Sequence, residues 1–478
     1  MKERRLVGID LGIASAHTVR VLAADGTIVA KRKCVPTKQS LTEIERVALA
    51  GAPEGTLLEV VLEPTGPAWL PIAVFFSSRG HIVYRVSSAK AADLRRYLSR
   101  HAKSNGIDAD TLARIPLIDP AGLRPLELPG AERAALDRRV RATDRLTQAG
   151  AEHKTRIKDL VRQLMPMSPL TGELGAADLA VLERGANPNE LVKLGRARLT
   201  KLIARASKGH LGAERAEEYL VAARASIELY ADHPAVAFVD LAAEVATEVR
   251  LLAAIGVELD AHATEREYCY RWVDPLGLAR SLPGLGEVGG PALVACMGDP
   301  HRFRHGKQFR SFTGLAPRAS ETGETNRKGQ PMSKAGSTSL RTTLVRAADT
   351  ARKVDPQFAR TYFVQMERGK NHLGALCVVA ANLAERAWAT MERGMPYVIC
   401  DADNNPVSPE EAKAIIAERF TVTEEMRKRR RSRKAKGKAP QKVLEGHLKS
   451  GAQGADGRGD LPRRPSSPTR SRTVKAPS

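Results

Sequence analysis

Residues 6–12 read Leu-Val-Gly-Ile-Asp-Leu-Gly, and this stretch decides the fold class. Its apolar start predicts a short buried strand that ends at Asp10, followed by a turn at Gly12. Two more strands are predicted at residues 18–22 and 27–30. The chain therefore begins as a sheet with a carboxylate at the end of its first strand.

Two further strands and a helix follow. Residues 57–62 form a nearly continuous apolar run, as expected for a strand buried on both faces. Residues 69–78 are helical in pattern, and residues 81–86 predict another strand. Strands alternating with helices indicate an α/β domain with helices on the faces of its sheet, which we place at residues 1–125.

The middle of the chain has a helical pattern. Residues 129–164 have the length of a long helix that needs a partner to cover its apolar stripe. Residues 214–263 can supply that partner, with a smaller helical segment between the two. We therefore predict a long antiparallel helical linker, or coiled-coil region, at residues 126–275.

The last part of the chain divides into a domain and a tail. Residues 276–395 predict a compact, mostly α-helical domain. After residue 420 the apolar periodicity disappears, and a basic run at 427–434 is followed by Gly, Pro and Ser. Residues 420–478 therefore predict a disordered basic tail.

The composition points to a polyanionic partner. Lys plus Arg is 76 against 54 for Asp plus Glu, a formal net charge of +22. Nucleic acid is the commonest such partner, and a ribosome-associated or merely basic soluble protein is the alternative. Aromatic residues are only 4%, which argues against a platform for stacking single-stranded bases.

Cysteine usage and hydropathy exclude other classes. The five cysteines form no CxxC pair, so neither a zinc site nor a disulfide framework is indicated. We predict no signal peptide and no membrane-spanning stretch, and a reducing cytoplasm fits.

Two carboxylates follow neighbouring strands. Asp10 ends the first predicted strand, and Glu63 follows the apolar run that ends at residue 62. Carboxylates at adjacent strand ends can converge, bind Mg²⁺ and assist phosphodiester cleavage. The ordinary alternative is an Asp that opens a turn and a Glu that caps a helix.

A third acidic region lies at residues 103–114. If it is helical, Asn105 and Asp108 share a face. Asp110 then lies about 200° around the helix from Asp108 and cannot face the same metal ion, unless the helix begins at Ala109.

These blocks resemble a known family. Gly-Ile-Asp-Leu-Gly at 8–12, Glu-Pro-Thr-Gly at 63–66 and Lys-Ser-Asn-Gly-Ile-Asp-Ala at 103–109 are similar to three blocks of DEDD transposases, the insertion-sequence one-ten group of bacterial mobile elements. The resemblance implies a ribonuclease-H-like, Holliday-junction-resolvase-like domain. It also implies a metal-binding acidic set, which falls on the four residues Asp10, Glu63, Asn105 and Asp108.

Asn105 departs from the family pattern, which has Asp at this position. Asn can still offer a carbonyl oxygen to a hard cation, but with less charge. Three readings stay open: a weaker metal site, substitution by Asp110, or an inactive copy.

The C-terminal domain resembles the same family independently. The similar blocks lie, in the family's order, at residues 281–286, 298–303, 314–317, 329–336 and 340–341. Gly284 and Gly286 lie in a formal GxGxxG match that no βαβ unit surrounds, so we reject dinucleotide binding. The turn suits backbone amides that contact a DNA phosphate, and a simple helix–helix turn is the alternative.

The resemblance places a catalytic serine just before a glycine, where it forms a covalent phosphoserine with DNA. Thr322 occupies that position here, and Ser320 lies two residues earlier. We favour Ser320 slightly because the branched Thr is a poorer nucleophile, keep Thr322 beside it, and rank Ser333 third. A solvated loop is the alternative.

Basic side chains surround this hydroxyl segment and suit contacts to a scissile phosphate: Arg318, Arg327, Lys328, Lys334 and Arg341. Scattered surface charge is the alternative for each. The basic tail is expected to add sequence-independent, salt-sensitive affinity.

Three functional hypotheses follow. The first is a Mg²⁺-dependent DNA transposase that acts on element ends and target, with half-sites in separate domains that meet across a dimer or tetramer. For this enzyme the resemblance implies a structured guide RNA and a cytoplasmic, nucleoid-associated location. The second is a resolvase-like nuclease without a covalent intermediate. The third is an inactive nucleic-acid-binding relic.

Overall fold

The structure is a computed structural model of the 478-residue chain. It describes residues 3–99, 102, 104–170, 172–231, 233–318, 321–322, 325–326 and 330–426. The chain divides into two units, Met1–Thr421 and Val422–Ser478, and every element named below lies in the first. Across the described ranges, no helix combines the length and apolarity needed to cross a membrane.

The N-terminal part is a mixed sheet whose strands are β1 (Arg4–Asp10), β2 (His17–Leu22), β3 (Ile28–Cys34), β4 (Leu57–Leu62) and β5 (Ile82–Arg85). Their spatial order is β3-β2-β1-β4-β5. β2 is antiparallel to β1 and β3, whereas β4 is parallel to β1 and β5. All the predicted strands are present, and their bounds differ from the prediction by up to four residues.

Helices cover both faces of this sheet: α1 (Lys38–Leu49), α2 (Trp69–Ser78), α3 (Ser88–Leu98) and α4 (Asn105–Ile118). One face packs Val7, Ile9 and other apolar side chains against α1 and α2. On the opposite face Leu6 and Val61 pack against side chains of α4. The alternation of strand side chains thus explains why two sets of helices are needed.

The middle of the chain contains α5 (Ala131–Leu164), α6 (Ala176–Arg184), α7 (Pro188–Ala206), α8 (Ala213–Tyr230) and α9 (Phe238–Val273). α5 and α9 pack antiparallel. Thr143 of α5 accepts a hydrogen bond from Arg266 of α9, and His153, further along α5, contacts Glu248, earlier in α9. α6, α7 and α8 share an apolar core with the C-terminal half of α5 and the N-terminal half of α9.

The prediction of one helical stretch over residues 214–263 is wrong. α8 ends at Tyr230, and Ala231 after it adopts the left-handed conformation with φ 42°. Pro234 then lacks the N–H that a continuing helix would need, and α9 begins only at Phe238. The long antiparallel partner of α5 is therefore α9, a helix that begins 24 residues later than predicted and continues past residue 263.

The C-terminal part is mostly helical, with one short β-hairpin. Its elements are α10 (Leu278–Ser281), α11 (Gly289–Met297), α12 (Gly306–Phe312), β6 (Glu321–Thr322), β7 (Thr325–Asn326), α13 (Thr338–Val354), α14 (Pro356–Glu367), α15 (His372–Arg393) and α16 (Pro409–Arg419). Ser339 donates a hydrogen bond to Asp144 of α5, and Arg280 pairs with Glu267 of α9. The helical pair is thus tied directly to this part of the chain.

The predicted disordered tail begins with an ordered residue. The ring of Phe420 packs against that of Phe363, with 6.3 Å between centroids. Residues 427–478, which hold the basic run, lie outside the described residues.

Candidate active site

Asp10 and Glu63 lie at the same edge of the sheet. β1 and β4 are parallel neighbours, and their last register pair joins Ile9 to Leu62. Asp10 and Glu63 are the next residue in each chain, and both are half-buried. The sheet topology therefore places these two carboxylates side by side at the carboxyl ends of adjacent strands.

Helix α4 brings two more polar residues towards this edge. Ser104 caps the helix, since its side chain accepts a hydrogen bond from the Ile107 N–H at 3.2 Å. The helix therefore begins at Asn105, which excludes a start at Ala109. Asn105 and Asp108 lie in the first turn and share a face.

Gly8 sets how closely α4 approaches the sheet. A Cβ on Gly8 would lie 2.0 Å from the Ala109 carbonyl oxygen and 2.4 Å from the Ala113 nitrogen. Only glycine therefore fits this position of β1. The helix backbone next to Asp108 rests on the strand two residues before Asp10.

Asp108 and Asp110 have different partners. Oδ1 of Asp108 lies 3.0 Å from Nε of Arg95, at the end of α3. Asp110 accepts a hydrogen bond from Arg114 at 2.8 Å, one turn further along α4. Asp110 is therefore turned to another side of the helix, as the sequence argument expected for a helix that begins before residue 109.

The loop after Asp10 is tied back to β2. The Gly12 N–H donates to Nδ1 of His17 at 3.1 Å, and His17 is only 2% exposed. Burial lowers the pKa of His17, because the charged imidazolium is disfavoured away from water. A neutral His17 therefore fixes the turn that begins at Asp10.

A divalent cation such as Mg²⁺ is held by several oxygen ligands. Among the described residues, no group of three His, Cys, Asp or Glu side chains is arranged to hold a metal ion. The donors near the strand edge are carboxylate and amide oxygens, the type that Mg²⁺ and Ca²⁺ prefer. The donor chemistry thus fits such a cation, provided that Asp108 exchanges its Arg95 contact for the metal.

Two of the candidate hydroxyl residues, Thr322 and Ser333, lie in described parts of the chain. Thr322 pairs with Thr325 across the two short strands. Ser320 lies outside the described residues. Ser333 lies at the hairpin base, where its N–H donates to the Ala316 carbonyl at 2.9 Å and its hydroxyl lies 3.5 Å from the Gly314 carbonyl. The segment predicted as a polar loop is thus partly a hairpin.

Arg341, a predicted DNA contact, binds the protein's own backbone, and its contact with DNA stays a prediction. Its guanidinium donates to the carbonyls of Thr313 and Lys334 at 3.4 and 3.3 Å, and to the Thr338 hydroxyl at 3.1 Å. These groups flank the hairpin base, so Arg341 joins the hairpin to α13. Arg318 and Lys334 are exposed.

The remaining predicted DNA contacts divide into two groups. Arg327 and Lys328 lie outside the described residues. Gly284, with φ 81°, packs tightly on α13, where an added Cβ would lie 2.5 Å from the Ala347 carbonyl oxygen. Gly286 has open space around it. Close packing therefore explains why the first position is glycine, and the phosphate contact expected of both glycines stays a prediction.

Sequence reasoning missed two residues beside the strand edge. Arg95 pairs with Asp108, but no spacing in the sequence links α3 to α4 in this way. His17 could have been noticed as a polar residue at the start of an apolar strand, because such a residue needs a partner when buried.

Comparison with known proteins gives two family matches in the order of the domains. Residues 7–166 match a family described as "Transposase", the DEDD type of IS110 elements. Residues 277–363 match the family described as "Transposase IS116/IS110/IS902 family". The matched segments contain the candidate acidic residues and the hairpin, respectively.

Individual relatives agree with these matches. The "Insertion element IS110 uncharacterized 43.6 kDa protein" of Streptomyces coelicolor is 26% identical over 407 residues, which cover 82% of this chain and 95% of that protein. The "Probable family 20 transposase" of Pseudomonas aeruginosa is 34% identical over 24% of this chain and 35% of its own length. The "Transposase for insertion sequence element IS1111A" of Coxiella burnetii is 31% identical over 29% of this chain and 37% of its own length.

The two family matches therefore include the segment with the candidate acidic residues and the segment with the hairpin. The Streptomyces coelicolor relative aligns with this chain over nearly all of the relative's own length. The resemblance found in the short sequence blocks is confirmed at the level of whole domains. The chain belongs to the IS110 family of DEDD transposases, enzymes of DNA recombination.

Proposed function

We propose that this transposase excises and inserts a mobile element by metal-assisted DNA cleavage and rejoining, through a covalent hydroxyl–DNA intermediate. The observation that carries the proposal is that Asp10 and Glu63 each follow the last register pair of two parallel neighbouring strands, with α4 packed on Gly8 of the first strand. A hydroxyl-bearing hairpin in a separate part of the chain supplies the second half of the chemistry.

The N-terminal domain, residues 1–125, is proposed to be ribonuclease-H-like. The order β3-β2-β1-β4-β5, with an antiparallel half and a parallel half, supports this assignment. Residues 126–275 then form the helical linker, and residues 276–395 the C-terminal transposase domain. The two halves of the site accordingly lie in different domains.

A DEDD-type family indicates use of a divalent metal, and we propose Mg²⁺ as the ion. Asp10, Glu63, Asn105 and Asp108 would hold it, and the bound ion would supply charge neutralisation at the phosphate under attack. Asn105 offers an oxygen without a charge, so this set binds the ion more weakly than four carboxylates would. Asp108 forms an ion pair with Arg95, so metal binding by this carboxylate would require that pair to break.

The hydroxyl step exchanges one phosphoester for another. The oxygen of Ser320 or Thr322 forms a bond to phosphorus and gives up its proton. The bond from phosphorus to the leaving deoxyribose oxygen breaks, and that oxygen takes up a proton and leaves as a hydroxyl. No external energy source is required, because the new ester conserves the energy of the old one. Five basic side chains are proposed to hold the phosphate, with Gly284 and Gly286 offering backbone N–H groups: Arg318, Arg327, Lys328, Lys334 and Arg341.

The partners follow from the family and the charge. We propose element ends and target DNA as substrates, a structured guide RNA that selects them, and a dimer or tetramer in which half-sites meet across subunits. A cytoplasmic, nucleoid-associated location is consistent with the net charge of +22.

Trapping of the covalent intermediate tests the proposal. Element-end DNA is incubated with the full-length protein and Mg²⁺, and protein–DNA adducts are separated under denaturing conditions. An adduct that is lost in either Ser320→Ala or Thr322→Ala, but retained in the other and in the control Ser333→Ala, identifies the nucleophile. Asp10→Asn is expected to abolish the adduct.

The alternatives give different results. DNA cleavage without any adduct indicates the resolvase-like nuclease. Binding of DNA with neither cleavage nor adduct indicates the inactive relic, a reading that the Asn at position 105 favours.

A further inference from the structure

One row of residues across the N-terminal sheet runs from acid to base. Asp10 on β1 lies opposite Thr18 on β2, and Thr18 lies opposite Lys33 on β3. Residues directly opposite each other on neighbouring strands have their side chains on one face. Lys33 is therefore on the face that carries Asp10, two strands away, or about 10 Å at the usual strand spacing.

The next row on the same face contains two basic residues and no acidic one. Gly8 lies opposite Arg20, and Arg20 lies opposite Lys31. Helix α4 packs on Gly8, and a Cβ on Gly106 in its first turn would lie 2.5 Å from Nη2 of Arg20. Arg20 therefore lies between the first turn of α4 and the edge strand that carries Lys31.

An open cleft separates the first turn of α4 from β2 and β3. Its lining includes Arg20, Lys31, Arg32 and Lys33 together with Thr18 and residues 104–106, and none of these lining residues is acidic. Lys31 and Lys33 are exposed. Lysine on an edge strand also prevents edge-to-edge association, but that role requires no particular face and no second strand.

We propose that Arg20, Lys31 and Lys33, the basic shelf, bind backbone phosphates of the DNA strand that is cut at Asp10 and Glu63. This inference rests on the proposed function of the acidic edge. A strand that crosses the cleft passes from the shelf to the acidic edge without leaving the sheet face. At the separation of about 10 Å between Lys33 and Asp10, the phosphates bound by the shelf lie within a few nucleotides of the scissile phosphate.

The shelf recognises charge and carries no base-specific contact. Lysine binds phosphate as a point charge, and Arg20 adds a guanidinium that can contact two oxygens. The shelf thus positions the strand without selecting its sequence. It differs from the predicted contacts around the hairpin, which lie in the C-terminal part of the chain.

Lys31→Ala/Lys33→Ala in the full-length protein tests the shelf, because both side chains are exposed and their loss should not affect folding. Lys38→Ala/Lys201→Ala removes the same charge from two exposed lysines, on α1 and α7, and is the matched control. Lys31→Arg/Lys33→Arg keeps the charge. Each pair is combined with Asp10→Asn so that element-end DNA is bound but not cut, and is also assayed for recombination with Asp10 intact.

Lys31→Ala/Lys33→Ala is expected to weaken DNA binding about tenfold more than the control, and to lower the slope of log affinity against log salt by about two. Recombination should fall in parallel, and the arginine pair should restore both. Equal binding and recombination in the alanine pair and the control overturn the proposal. Loss of binding to the guide RNA alone, with DNA binding unchanged, also overturns it. Recombination that survives Asp10→Asn refutes the proposed role of the acidic site. The comparison of DNA binding between the alanine pair and the control still tests whether the basic shelf binds DNA.

Discussion

Nε of Arg95 lies 3.0 Å from Oδ1 of Asp108, so the fourth residue of the acidic set already has a cationic partner in the protein. Both side chains are largely buried, with 23% and 21% of their surfaces exposed. A metal ion bound at the proposed site would therefore compete with Arg95 for this carboxylate.

Arg95→Ala is expected to lower the free energy of unfolding in EDTA by about 1 kcal/mol, because Asp108 loses its partner. The stabilisation by Mg²⁺ should be larger than in the wild type, since no ion pair has to break. Thermal unfolding with and without Mg²⁺ measures both effects. Arg96→Ala breaks an exposed pair with Asp93 on the same helix and is the control. Equal Mg²⁺ stabilisation in the two variants contradicts the competition.

Asn105→Asp restores the carboxylate that the family pattern contains. We expect Mg²⁺ affinity to rise about tenfold, because the added carboxylate contributes a full charge to the site. Asn189→Asp, in the first turn of α7, is the control for the favourable effect of an acid near a helix N-terminus. Isothermal titration with Mg²⁺ distinguishes them, and an unchanged affinity in Asn105→Asp would remove this residue from the proposed metal site.

Arg341→Ala should destabilise the base of the hairpin. The variant loses hydrogen bonds to the carbonyls of Thr313 and Lys334, for an expected loss of about 1–2 kcal/mol in unfolding free energy. Arg318→Ala removes an exposed arginine near the same hairpin and should leave stability unchanged while weakening DNA binding. Chemical denaturation of both variants checks this, and equal stability would show that these backbone bonds do not stabilise the hairpin base.

Glu267→Gln should change the acid stability of the protein. Hydrogen bonds from Arg280 lower the pKa of Glu267 to about 2 from its ordinary value of 4.5. The resulting stability is fully present above pH 4.5 and is lost as the pH falls towards 2. With allowance for partial exposure, we expect about 2 kcal/mol.

The difference in unfolding free energy between wild type and Glu267→Gln should therefore shrink as the pH falls from 4.5 to 2. Denaturation at several pH values measures it. Glu265→Gln, in the same helix but with a half-exposed carboxylate, is the control. A difference that stays constant over this range would show that the ion pair with Arg280 is not the cause.

The sequence predicted what depends on local pattern. Short apolar runs bounded by turns located the strands of the N-terminal sheet, and helical pitch separated Asp108 from Asp110 correctly. Partners from distant segments left no such signal, so the pairing of Arg95 with Asp108 and the backbone contacts of Arg341 could not be predicted. The break at Ala231 was missed because the residues on both sides of it share a helical composition.

The close packing at Gly8 matters when the sequence of an element copy is used to decide whether its transposase is functional. Any side chain at this codon forces the helix away from the sheet, because the Ala109 carbonyl oxygen leaves no room for a Cβ. A single base change in this codon would inactivate the protein while leaving every acidic residue unchanged. Counting only the gene copies that retain the acidic residues would therefore overestimate the number of functional copies. The codon for the glycine two residues before Asp10 should be checked as well.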